Sequence, residues 1–133
     1  LAEASKVFAD CGIETSYHPH LGSMAEKPEQ IDKLFAQTDI KICPDLAHLA
    51  AGGGDPLAIV KKYYDRISFV HLKDLNQDGF APLGTGTIDL EGVLAFLKEQ
   101  GYTGDYLVEV DGFLGDPTEA CKVSYEYLKG KLI

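Results

Sequence analysis

Eight side chains able to move protons or hold a cation stand in four short groups along this sequence: His18 and His20, Asp45 and His48, His71 and Lys73, Glu109 and Asp111. The chain has four histidines and all of them fall in these groups, where chance would scatter them over helices and loops as well. Carboxylate oxygens and imidazole nitrogens together suit Mn²⁺, Co²⁺ or Zn²⁺, and coordination offsets the cost of burying a carboxylate. The same residue types also do general acid–base work on a carbonyl compound. Each residue has a plainer reading too. A lone histidine at a strand end is more often a hydrogen-bonded polar residue than a ligand. Lys73 with Asp74 reads equally as a surface ion pair, Asp111 as a turn or helix cap, and Gly52-Gly53-Gly54 as a turn. Glu109 is sharper, because a carboxylate between Val108 and Val110 needs a partner.

The elements that must position these groups alternate in hydrophobic period. Helical spacing from Leu1 to Cys11 stops at Gly12. A strand over Ile13–His18 runs into a polar loop, and Pro28 opens a helix with Ile31, Leu34 and Phe35 on one stripe. Ile40–Cys43 is a second strand, closing on Pro44-Asp45. The small-residue stretch Ala50–Gly54 reads as a loop leading to Asp55-Pro56, a cap and first-turn proline for the next helix. Ile67–Leu72 is the clearest strand, and Asp74–Thr87 reads as a long loop. A helix over Leu90–Gln100, a strand over Asp105–Val110 and a last helix from Asp116-Pro117 to about Leu132 complete the order.

Strict β-α alternation implies parallel strands with helical crossovers, and in such folds function collects at the carboxyl ends of the strands. Each of the four groups lies at one of those ends. Strand parity puts Phe69, His71 and Lys73 on one face, with Ser68, Val70 and Leu72 on the other. Tyr106, Val108 and Val110 then face helices, while Leu107 and Glu109 point the opposite way. In a barrel this brings His18 or His20 together with Asp45, His71 and Glu109. Four βα units fit a small open sheet or half of a (β/α)8 barrel, whose usual length is ~250 residues. A Rossmann domain lacks its signature, since no GxGxxG follows the first strand.

The 133 residues are 45% hydrophobic and 25% charged, with a formal net charge of −9. That balance argues against a sequence-independent nucleic-acid binder. No apolar run approaches the ~18 residues of a bilayer span, so no membrane partner is expected. Three widely spaced cysteines, Cys11, Cys43 and Cys121, read as buried thiols of a cytoplasmic protein.

The segments Tyr17-His18-Pro19-His20-Leu21-Gly22-Ser23, Pro44-Asp45-Leu46-Ala47-His48, Val70-His71-Leu72-Lys73-Asp74 and Val108-Glu109-Val110 resemble the xylose isomerase-like TIM-barrel superfamily. Within it they are most similar to the inosose dehydratase group, which carries YHxHxGT-like and HLKD segments. Pro82–Asp89 resembles the GxGxID segment of the same enzymes. The resemblance covers nearly the whole chain and is specific as an ordered set. It implies the C-terminal half of a (β/α)8 barrel, a single domain over residues 1–133, and a divalent metal (Mn, Co or Zn) on Asp45, His71 and Glu109. The family's first glutamate ligand has no counterpart here: either His18 or His20 takes its place, or both contact substrate and the metal keeps a water there. His18, His20, His48 and Lys73 are the implied catalytic and substrate-binding residues. Endonuclease IV shares the Asp45…His48 spacing, but Asp74–Thr87 holds no histidine for its further zinc ligands.

The implied chemistry is dehydration of a polyhydroxylated cyclic ketone such as inosose through an enediolate, a hydro-lyase reaction of inositol catabolism. Isomerisation or epimerisation of a sugar is the alternative within the superfamily. A non-catalytic half-barrel that at most binds metal or self-associates is the alternative of another class. Leu1 falls inside an apparent helix, so a longer natural protein is expected. Half a barrel would expose two parallel-strand edges, which leaves room for a homo-oligomer.

Overall fold

A computed structural model describes residues 1–132. The elements are α1 (Ala2–Asp10), β1 (Ser16–Tyr17), α2 (Pro28–Phe35), β2 (Lys41–Ile42), α3 (Leu46–Ala51), α4 (Pro56–Lys62) and a 3-10 turn (Tyr64–Arg66). After these come β3 (Val70–Leu72), β4 (Asp74–Asn76), β5 (Gly79–Ala81), α5 (Leu90–Glu99), β6 (Tyr106–Val108) and α6 (Pro117–Leu128).

The strands that matter run parallel and in chain order. Ser16 and Tyr17 pair with Lys41 and Ile42, and β3 pairs with β6 in the register His71–Leu107. Between these pairs, parallel bridges Ile42–Ile67 and Asp45–His71 carry the sheet across. This is the strand order of half a (β/α)8 barrel. The strands are shorter than the sequence pattern implies, because β1 and β6 each pair on one side only among the described residues.

Aspartates start four of the helices. Asp45, Asp55, Asp89 and Asp116 each accept a backbone N–H two or three residues on, satisfying a donor that the first helical turn leaves open. Two apolar clusters lie beneath. One gathers Val70, Leu72, Leu90, Val93 and Leu97 between β3 and α5. The other gathers Ile31, Phe35, Ile42, Leu49 and Ile59 around α2, and Ile67 packs against both.

Arg66 joins the two halves of this second region. Its guanidinium donates to the carbonyls of Phe35, Thr38 and Ile40 and lies 4.7 Å from the centre of the Phe35 ring. One planar cation thus satisfies the open carbonyls where α2 ends.

Several expectations need correction. Leu46–Ala51 is a helix, α3, where the sequence pattern indicated only a loop from Ala50. Its apolar residues Leu46, Ala47 and Leu49 are all buried, too short a run for periodicity to reveal. Asp74–Thr87 is not one long loop, since β4 and β5 form an antiparallel hairpin. Lys73 and Asp74 are no surface pair, being 0% and 1% exposed. Val108 is 39% exposed rather than packed under a helix, consistent with its place on an edge strand. Cys43 is buried, but Cys11 and Cys121 are exposed. The last helix ends at Leu128, four residues before the expected Leu132, and Ile133 lies outside the described residues. Among the described residues no helix is long and apolar enough to cross a membrane.

Candidate metal centre

Asp45 shows how local folding aims a side chain. Its Oδ1 accepts the His48 N–H at 3.0 Å to start α3, which fixes the carboxylate and turns Oδ2 toward the strand ends. There Oδ2 lies 3.3 Å from His18 Nε2, 3.6 Å from His71 Nδ1 and 2.9 Å from Lys73 Nζ. His71 is anchored by its own N–H on the Pro44 carbonyl, and its Nδ1 meets Glu109 Oε2 at 2.9 Å. The Glu109 N–H bonds to the Leu72 carbonyl, so Glu109 continues the β3–β6 register.

The donor atoms of His18, Asp45, His71 and Glu109 all lie within 4.8 Å of one another. Two carboxylates and two imidazoles at that spacing fit a single divalent ion of the Mn²⁺, Co²⁺ or Zn²⁺ type. Of the two histidines expected near the missing first ligand, His18 joins this group. His20 falls in a second trio with His48 and Asp111, whose donor atoms also lie within 4.8 Å of one another.

Lys73 stands between the two groups. Its fully buried ammonium lies 2.9 Å from Asp45 Oδ2, 2.9 Å from Glu109 Oε2 and 2.8 Å from Asp111 Oδ2. These carboxylates keep its pKa above the ordinary lysine value although burial alone would lower it. Burial likewise acts to raise the Asp45 pKa, but hydrogen bonds from His18, His71, the His48 backbone and Lys73 hold the carboxyl well below its usual range. Asp111 is also lowered, first by its bond to Lys73. His71 is pushed up to about 10, above all by Asp45, with further contributions from Cys43 and Glu109.

The hydrogen-bond pattern orients the remaining imidazoles. The Leu21 N–H reaches His48 Nδ1, and the neutral ring presents Nε2 3.2 Å from both Asp111 Oδ2 and Lys73 Nζ. Burial lowers the pKa of His48 and favours this neutral form. His20 donates Nδ1–H to the Leu21 carbonyl, which leaves Nε2 as an open base 3.8 Å from Asp111. Its side chain is 50% exposed, against 1% for His48.

All seven expected site residues therefore meet at one end of the sheet. Two more belong with them. Asp111 could be read from the sequence only as either a site group or a cap, and its i, i+2 relation to Glu109 was the signal for the first. Phe80 went unnoticed because its hairpin did. Its ring centre lies 5.0 Å from Lys73 Nζ and 4.8 Å from the centre of the His48 ring. The turn-forming residues Asn76-Gln77-Asp78-Gly79 were the available sign.

Asp74, the next residue after Lys73, has a purely structural environment. Its Oδ1 accepts N–H groups from Leu75 and Ile88, and Oδ2 those from Gly84 and Gly86. A Cβ on Gly86 would overlap the Asp74 carboxylate, so the Gly-rich segment wraps this one side chain.

Comparison with known proteins agrees with this fold. The family model described as a xylose isomerase-like TIM barrel matches residues 1–130. An inosose dehydratase of Clostridium beijerinckii is 32% identical, covering 98% of this chain and 52% of that protein. The crystal structure of a D-tagatose 3-epimerase-like protein is 29% identical, with a TM-score of 0.78 over 98% of this chain and 51% of that one. A sugar phosphate isomerase/epimerase from Parabacteroides distasonis shares the fold at 24% identity, with a TM-score of 0.75 over 96% of this chain and 50% of that one. The chain spans about half the length of the curated relatives it matches.

Proposed function

This chain belongs to the xylose isomerase-like TIM-barrel family, and from that premise we propose that it supplies half of the barrel and the metal-holding strand ends of an enzyme acting on a polyhydroxylated ketone. The observation that carries the reading is the convergence of His18, Asp45, His71 and Glu109 around one point, beside a buried lysine ammonium. In this reading residues 1–133 form one folding unit. The reaction is dehydration of an inosose-like cyclic ketone, which the identity to inosose dehydratases supports.

His18, Asp45, His71 and Glu109 would hold the divalent ion. When bound, that ion acts as a Lewis acid on the substrate carbonyl and makes the neighbouring C–H more acidic. The other residues handle charge and protons. Lys73 meets the negative charge that develops on the substrate oxygen, from a position where its ammonium is already oriented by three carboxylates. His48, neutral and fixed between Leu21 and Asp111, holds Asp111 and Lys73 in place beneath the substrate. His20 presents an open Nε2 at the exposed side. It takes the proton from carbon and delivers it to the departing hydroxyl, which leaves as water.

Epimerisation starts with the same proton removal, and the likeness to the D-tagatose 3-epimerase-like protein favours it as the second reading. One experiment separates them. The metal-loaded chain is incubated with 2-keto-myo-inositol in D₂O and followed by NMR and mass spectrometry. Loss of one water supports dehydration. Deuterium at the carbon next to the carbonyl without loss of water supports epimerisation. Neither change in excess of a metal-only control refutes both readings for this chain.

A further inference from the structure

Among the site carboxylates, Asp111 alone lies outside the four-residue group of His18, Asp45, His71 and Glu109. The oxygens that this group would turn to a cation are already engaged. Asp45 Oδ2 and Glu109 Oε2, which face His18 and His71, are the same two atoms that Lys73 Nζ contacts at 2.9 Å. An ammonium and a divalent ion on shared oxygens repel each other. Lys73 is 0% exposed. Charge balance nevertheless favours its staying, since three carboxylates match one divalent ion and one ammonium. A place for it exists at Asp111 Oδ2, 2.8 Å away. His48 Nε2 lies 3.2 Å from both that oxygen and Lys73 Nζ, and its ring is fixed in turn by the Leu21 N–H.

We propose that Asp111 is a positioning residue whose carboxylate carries the Lys73 ammonium when Asp45 and Glu109 hold a divalent cation, so that cation and ammonium share the site. This rests on the metal reading given above. Asp111 then acts on the cation only through Lys73. Its removal leaves the ammonium with no carboxylate except the two whose oxygens the cation needs, and only the His48 ring nitrogen, 3.2 Å away, beside them.

The test is a double-mutant cycle on Co²⁺ affinity, read by calorimetry with no substrate present. Asp111→Asn weakens Co²⁺ binding about tenfold while Lys73 is present, and about threefold at most in a Lys73→Met background, the scale of coupling that contacting residues show. Asp111→Glu restores binding to near the parent value. Equal penalties in both backgrounds would overturn the proposal, because a direct ligand or a simple through-space charge would act with or without Lys73. If the parent chain binds no Co²⁺, the metal reading itself fails and this inference with it. Should Lys73→Met not fold, a crystal structure of the Co²⁺-loaded parent decides. Lys73 Nζ on Asp111 and withdrawn from Asp45 Oδ2 is the expected result, and an ammonium that has left Asp111 refutes it.

Discussion

Replacing Asp74 by alanine separates structure from chemistry in the His71-Leu72-Lys73-Asp74 segment. The carboxylate of Asp74 is 1% exposed and accepts four backbone N–H groups at 2.8 to 3.2 Å. A hydrogen bond to a charged acceptor contributes ~1.5–3 kcal/mol, and a buried donor left without a partner costs ~1–3 kcal/mol. Water entering beside Gly84 and Leu75 replaces part of this, so a net loss of about 3 kcal/mol is expected. For a domain of this size that lowers the melting temperature by about 10 °C. Asparagine keeps one acceptor oxygen but turns its amide NH₂ toward two backbone N–H groups, so it recovers only part of the loss. Melting followed by circular dichroism, paired with metal content measured well below the transition, is the assay. The expected result is a large fall in stability with metal binding retained. An Asp74→Ala protein melting within about 2 °C of the parent would refute the assignment of Asp74 as the post around which residues 84–88 are wound.

The same loop predicts that Gly86→Ala is destabilising by about 2 kcal/mol or more in urea unfolding, since the added methyl would overlap both the Asp74 carboxylate and the Leu75 carbonyl. Arg66→Met should cost about 2–3 kcal/mol by the same measurement, through three carbonyls left without their donor. Arg66→Lys should restore little of it, because a point ammonium cannot span the three acceptors. The raised pKa of His71 sets a pH dependence. In the metal-free chain the stabilisation it provides is complete below its unfolded value near 6.5 and disappears as pH rises through about 10. A cation must displace that proton. Apparent Mn²⁺ affinity, measured by titration calorimetry, should therefore climb about tenfold per pH unit between roughly pH 7 and 9, and a flat profile would show that His71 is not a ligand.

Much of the site was legible because strand ends in a parallel α/β fold are few and face one way. Knowing that His71 alternates with Val70 and Leu72 was enough to aim it at Glu109, which stands on the neighbouring chain segment two residues past Leu107, the register partner of His71. The choice between His18 and His20 was not legible. It depends on the turn after β1, where Leu21 bonds to both His20 and His48 and draws His20 away from Asp45. Lys73 was legible as a candidate but not as a buried hub, since its acceptors come from Asp45, Glu109 and Asp111, far apart in sequence. Helix α3 and the β4–β5 hairpin escaped for a local reason. The first is one and a half turns of small and apolar residues, and the second is two three-residue strands, both below the length at which a period can be recognised.

The most direct test of the metal centre is elemental analysis of the chain after incubation with Mn²⁺, Co²⁺ or Zn²⁺ and gel filtration, beside an Asp45→Ala, Glu109→Ala double variant shown to be folded. The account predicts about one equivalent of metal per parent chain, as one tetradentate site would hold, and none retained by the variant. A parent chain that retains none of the three ions, or a variant that retains as much as the parent, would contradict it.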